Sequence, residues 1–152
     1  MAVEIERKFL LAGDDWRPGA QGVEYRQGYL ASSTTVTVRV RVAGEHGYLT
    51  VKGARIGIAR PEYEYPIPVA EAEAMLAFCP NVISKTRYRV NFAEHVWEVD
   101  EFHGDNDGLL VAEVELESET ESVEIPPWIG QEVTGDARYQ NACLSRNPYS
   151  SW

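Results

Sequence analysis

The chain has 152 residues, 44% of them apolar and 25% charged, which is the composition of a domain that buries a core and not of a disordered, charge-rich chain. A net charge of −10 argues against nucleic acid as a partner, because binding a phosphate backbone needs a surplus of Lys and Arg. No apolar run approaches the ~20 residues of a membrane-crossing helix, and Glu4, Glu6, Arg7 and Lys8 stand where a secretory signal would be apolar, so a single cytoplasmic unit over 1–152 is expected.

Alternation of period two begins at once. A strand over 3–10 sets Glu4, Glu6 and Lys8 on one face, with Val3, Ile5 and Phe9 on or near the other. Further strands are expected over 23–31, over 35–43 with Arg39 and Arg41 between valines, and over 47–53 and 61–67. Turn signals separate them, among them Ser32-Ser33 and Gly44-Glu45. The alanine-rich run 69–78 follows Pro66 and Pro68 and stops before Pro80, which reads as a helix. Three strands come next: 82–91 with Lys85, Arg87 and Arg89 on one face, 94–102 with Glu98 and Asp100, and 110–118 with Glu113, Glu115 and Glu117. The turns between them are expected at Asn91-Phe92 and Gly104-Asp105-Asn106. Short helical turns are expected in 119–130, and a second helix from an Asp136 N-cap to about Ser145.

Eight strands with short connections point to an antiparallel meander, and closing it into a barrel removes the exposed edges. The fold class is therefore α+β, predominantly β: a closed eight-stranded antiparallel barrel with a few flanking helices. Its polar faces are monotonous in sign. Like charges at i and i+2 lie ~6–7 Å apart and repel, so repeated E-x-E, R-x-R and K-x-R pairs cost stability unless something binds between them. Turned inward, the acids can hold a divalent cation and the bases a polyanion. Carboxylate oxygens suit Mg²⁺ or Mn²⁺. His46, His95 and His103 fall at turns or strand ends, which disfavours zinc, and Cys79 and Cys143 read as small packing residues. Trp16, Trp97, Trp128 and Trp152 also read as packing groups.

The opening Glu4-Ile5-Glu6-Arg7-Lys8 is an E-x-E-x-K signature. It is followed in order by Arg26-Gln27-Gly28-Tyr29, Arg39-Val40-Arg41, Thr50-Val51-Lys52, Glu62-Tyr63-Glu64, Lys85-Thr86-Arg87, Glu98-Val99-Asp100, Glu113-Val114-Glu115 and the closing Asp136-Ala137-Arg138-Tyr139-Gln140-Asn141. Over nearly its whole length the sequence resembles the CYTH domain proteins, or triphosphate tunnel metalloenzymes, and looks most like their short bacterial inorganic triphosphatases. The resemblance implies a tunnel that hydrolyses a small-molecule triphosphate with Mg²⁺ or Mn²⁺. Hydrolysis of nucleoside or thiamine triphosphate, ATP cyclisation and non-catalytic binding of polyphosphate or a nucleotide are the alternatives, and the protomer is expected as a monomer or homodimer.

By the same resemblance Glu4, Glu6 and Glu115 ligate the metal, with Glu113 and Glu62, Glu64 or Asp100 near a second. Arg39, Arg41, Lys52, Lys85 and Arg87 bind phosphate oxygens. Lys8, expected to have a lowered pKa among cations, binds the chain or handles a proton, and Tyr29 pairs with it in catalysis. Asp136, Arg138 and Tyr139 are expected to cap the last helix and close one tunnel end.

Overall fold

A computed structural model describes residues 2–152. Nine strands alternate with short helices: β1 (Val3–Leu11), β2 (Gly22–Ser32), β3 (Val36–Ala43), β4 (His46–Gly53), β5 (Ala59–Ile67), α1 (Val69–Leu76), β6 (Ile83–Phe92), β7 (His95–Phe102), β8 (Leu110–Glu115), β9 (Ile129–Glu132) and α2 (Asn141–Leu144). The sheet runs β5-β4-β3-β2-β6-β7-β8-β1, and a further antiparallel pairing of β1 with β5 closes it into an eight-stranded barrel. No helix among the described residues is long and apolar enough to cross a membrane.

The barrel is not the simple meander expected. β6 pairs with β2 instead of β5, and β1 closes the ring between β5 and β8. Two runs of adjacent hairpins, β2–β5 and β6–β8, are thus joined by α1 and locked by the first strand. β9 was also missed, because Ile-Gly-Gln-Glu carries little strand signal. It exists because β1 outruns its pairing with β5: the edge left open beyond Ile5 is covered by β9, with Phe9 opposite Glu132 and Leu11 opposite Ile129.

At the β3–β4 hairpin Ala43 faces His46 across the expected two-residue loop, and Gly44 takes φ +58°, as a tight hairpin turn requires. The β6–β7 turn falls at Ala93-Glu94, two residues beyond the expected Asn91-Phe92, because Phe92 still pairs with His95. β8 ends at Glu115, leaving Glu117 exposed beyond the strand.

The apolar core lies outside the barrel wall. Phe9, Trp97, Val99, Ala112 and Val114 point away from the axis and are covered by Trp16 and Trp128 from flanking segments. Val40 and Val42 pack beneath α1 through Ala72, Leu76 and Cys79. Trp152 lies at the surface, its ring 5.2 Å from that of Tyr139. Gly28 is a close approach: a Cβ there would sit 2.6 Å from both Cβ and Sγ of Cys79. Gly28→Ala is expected to destabilise the fold by about 1–3 kcal/mol through overpacking, read as a lowered melting temperature. An unchanged melting temperature would mean that α1 is not seated as described.

The second helix is broken. A 3-10 turn at Ala137–Tyr139 and α2 are separated by an extended Gln140, with φ −76° and ψ 136°. Asp136 does cap the turn, accepting from the Arg138 N–H at 3.1 Å. The break follows from tertiary hydrogen bonds. Lys8 Nζ donates to the Tyr139 carbonyl at 3.2 Å, drawing the chain inward before a second turn can form. Tyr139 and Leu144 then pack on Ile83, Phe102, Leu109, Val111 and Val133. Ile83, Phe102 and Val111 stand in register with the inward charged residues of β6, β7 and β8, so one barrel end is stopped with an apolar floor.

Candidate active site

Above that floor is a cavity of about 410 Å³ lined by side chains from all eight barrel strands. Its acidic wall is built by β1 and β8. Antiparallel pairing sets Glu6 opposite Glu115 and Lys8 opposite Glu113. Carboxylate oxygens of Glu4, Glu6 and Glu115 lie within 4.8 Å of one another. Among the described residues only Glu4 of this trio has an ion-pair partner: Lys52 Nζ donates to both its oxygens at 2.9 Å, which holds its carboxyl below the usual range against the opposing effect of burial. Burial and the Glu113 and Glu4 charges push Glu6 well up. Burial, with Glu4, Glu62 and Glu113 nearby, pushes Glu115 up to about 7.

The opposite wall carries cations in paired sets. Asp100 is wholly buried and bound on both oxygens, by Arg87 Nε at 2.7 Å and Nη2 at 2.8 Å and by Lys85 Nζ at 2.7 Å. It does not line the cavity; its lone pairs are occupied by the two cations, so its expected place near a second metal is replaced by that of an internal counter-ion. Glu113 is engaged as well, lying 3.6 Å from Lys8 Nζ and 3.8 Å from Arg87 Nη2. Glu64 accepts from Thr50 at 3.0 Å and pairs with Arg39 at 3.4 Å, while Glu62 lies 3.4 Å from Lys52 Nζ. Arg39 is 7% exposed, and its Nε has no hydrogen-bond partner among the described residues.

Lys8 departs from expectation. Burial lowers its pKa, but its neighbours are Glu113, Glu6, Asp100 and Glu4 instead of other cations, and the net shift is upward. The depressed lysine is Lys85, brought to about 7 by burial and by Arg87 and Arg41 against the pull of Asp100. Burial and the charges of Arg39 and Arg87 likewise lower Arg41, to about 10.

Tyr29 stands opposite Arg39 on the inward parity of β2, but it is half-buried and does not line the cavity. A register shift between Tyr29 and Ala31 bends β2 there. The tyrosine amid the cations is Tyr25. Its ring lies 4.8 Å from the Arg41 guanidinium, 5.0 Å from that of Arg87 and 6.0 Å from Lys85 Nζ.

Arg55, Arg60 and Arg89 also line the cavity and were not anticipated as site residues. Arg89 was legible as the third member of its strand face; Arg55 sits in a loop and Arg60 beside Pro61, where alternation gives no signal. His46 reaches the cavity lining, whereas His103 contacts Thr86 and His95 contacts Glu121.

Comparison with known proteins agrees with this geometry. The CYTH domain model matches residues 2–142. The chain belongs to the CYTH domain family. Within it, the chain is 51% identical to the inorganic triphosphatase of Acetivibrio thermocellus, across all of this chain and 99% of that protein. It is 38% identical to the inorganic triphosphatase of Nitrosomonas europaea, over 93% of this chain and 96% of the relative. A crystallised inorganic triphosphatase superposes with a TM-score of 0.69 at 35% identity, covering 95% of each chain. Glu4, Glu6 and Lys8 lie on the inward face of the strand that closes the barrel.

Proposed function

We propose that the chain hydrolyses inorganic triphosphate to diphosphate and orthophosphate inside the barrel, using a divalent cation, Mg²⁺ or Mn²⁺, held by Glu4, Glu6 and Glu115. The observation that carries this reading is the convergence of those three carboxylates in one cavity with Arg39, Arg41, Lys52, Lys85 and Arg87. The acidic trio fits such an ion: its donors are hard oxygens without His or Cys, and burial together with neighbouring carboxylates raises two of the three carboxyls in pKa, a crowding that a divalent cation would relieve. Bound there, the ion supplies Lewis-acid stabilisation of charge on phosphate oxygens.

The protein's own groups do the positioning. Arg87 is oriented by two hydrogen bonds to Asp100, so its remaining donors are fixed before substrate arrives. The unpartnered Arg39 Nε supplies a buried donor for a phosphate oxygen. Lys8, kept charged by its acidic neighbours, joins the two walls. Together these groups neutralise the polyanion and the charge that develops on the departing phosphoryl group. Stacking of Tyr25 against Arg41 and Arg87 turns its ring to cation binding and away from base binding, which favours an inorganic substrate over a nucleoside triphosphate. The net charge of −10 argues against a nucleic-acid partner.

Phosphate release from triphosphate, ATP and thiamine triphosphate, each with Mg²⁺, Mn²⁺ or EDTA, tests the proposal. Triphosphate is expected to turn over fastest and EDTA to stop it; turnover indifferent to EDTA, or cyclic AMP formed from ATP, overturns it. Metal entry should also release protons near pH 7, since Glu115 is raised to about 7 and the ion takes its ionised form. Calorimetry of Mg²⁺ binding at pH 7 in buffers of different ionisation enthalpy should therefore give different apparent heats. Identical heats at pH 7 would contradict the crowding of the trio.

A further inference from the structure

The C-terminal segment does more than stop the barrel. Asn141, the first residue of α2, lines the cavity, and its Oδ1 accepts from two buried donors: Gln27 Nε2 at 3.1 Å and Lys85 Nζ at 3.2 Å. Gln27 is fully buried, and its Oε1 in turn accepts from Arg41 Nε at 2.8 Å. Arg41 therefore reaches α2 through one amide, and Lys85 reaches it directly.

Both cations have little else to set their direction on this side. Lys85 has Asp100 as its other hydrogen-bond acceptor, and Arg41 has Gln27 as its protein acceptor among the described residues. Both are packed on the Tyr25 ring, a contact that sets distance more than orientation. Deep in the barrel these two and Arg87 form a triangle of like charge, and an amide oxygen that accepts without adding negative charge can orient them without cancelling the field a polyanion needs.

We propose that Asn141 and Gln27 form an amide relay by which the C-terminal segment positions Lys85 and Arg41 against the inner phosphoryl group of triphosphate. Asn141 is thereby a positioning residue of the site, supplied by a segment outside the barrel. The inference rests on the triphosphatase reading. It accounts for two residues of the sequence motifs, Gln27 and Asn141, that neither wall of the cavity uses as a charged group.

The relay has a signature that a merely structural contact lacks. The groups facing Lys85 are Asp100 and Glu113, which favour its charged form, and Arg87 and Arg41, which oppose it, with Tyr25 and Phe102 packed alongside. Asn141 Oδ1 is a further acceptor for the ammonium, so its removal lowers the pH at which Lys85 loses its proton. The test is the pH profile of kcat/KM for triphosphate with Mg²⁺ in wild type, Asn141→Ala and Asn141→Asp, together with their melting temperatures.

Asn141→Ala is expected to lose about 10–100-fold in kcat/KM and to shift the alkaline limb to lower pH. Asn141→Asp keeps both accepting positions and adds charge, so its alkaline limb should move to higher pH than that of wild type. Profiles of unchanged shape in both variants overturn the relay, whatever the loss of rate, as does an Asn141→Ala profile within twofold of wild type. If Asn141→Ala does not fold, the direction of the Asn141→Asp shift decides. A wild-type protein that leaves triphosphate intact defeats the underlying reading, and is distinguishable because no variant is then needed.

Discussion

Glu6→Gln is expected to lower kcat for triphosphate by about 10³-fold while leaving the metal-free protein as stable as before or more so. Removing one of three carboxylates that converge within 4.8 Å removes a ligand whose share of charge stabilisation is several kcal/mol, and each 1.36 kcal/mol is tenfold in rate. The stability sign follows from the direction of its shift. Glu6 is raised in the folded state, so its favourable contribution is complete below the unfolded value near 4.5 and is lost as pH rises through the folded one. At neutral pH the wild-type carboxylate is therefore a burden, and a neutral amide relieves its repulsion with Glu4 and Glu113. Phosphate release and thermal melting in EDTA check the two halves. A variant that keeps wild-type turnover removes Glu6 from the metal set, and one that loses both turnover and stability makes Glu6 structural.

Asp100→Asn should have the opposite profile. Asp100 is the counter-ion of two buried cations, and its carboxyl is held below its usual range because Arg87 and Lys85 outweigh burial. Its contribution is present above pH 3.8 and is lost as pH falls through the lower folded value. Deleting the charge leaves Arg87 and Lys85 buried around a neutral amide, at a cost of about 3–5 kcal/mol, or about 10–15 °C in melting temperature for a chain of this length. The more exposed Glu98, 3.4 Å from Arg87 and 3.5 Å from Arg89, is the control, and Glu98→Gln should cost no more than about 1 kcal/mol. Equal effects of the two substitutions would contradict the counter-ion role.

Much of this was legible in the sequence because strands have period two. Glu4, Glu6, Lys8, Arg39, Arg41, Lys85, Arg87, Glu113 and Glu115 could be assigned to one face from alternation alone, and all nine line the cavity. Alternation is silent on which wall neighbours which. Strand order depends on long-range pairing, so closure of a meander could set β1 beside β8, but the pairings of β1 with β5 and of β2 with β6 were unreadable. The same gap explains Lys8, which the resemblance set among the phosphate-binding cations and the register sets opposite Glu113. Asp100 and Glu113 look alike in a pattern of carboxylates, and only three-dimensional pairing separates these counter-ions from the trio of Glu4, Glu6 and Glu115. The broken C-terminal helix had ordinary helical propensity, and hydrogen bonds from Lys8, Gln27 and Lys85 overrode it.

The pairing of an acidic wall with a basic one in a single enclosed space is tested most directly by diffraction from crystals grown with Mn²⁺ and an imido-bridged triphosphate analogue. An anomalous peak among Glu4, Glu6 and Glu115, with phosphate oxygens on Arg39, Arg41 and Arg87, is the result expected. A manganese peak away from that trio, or an analogue bound outside the barrel, would contradict it.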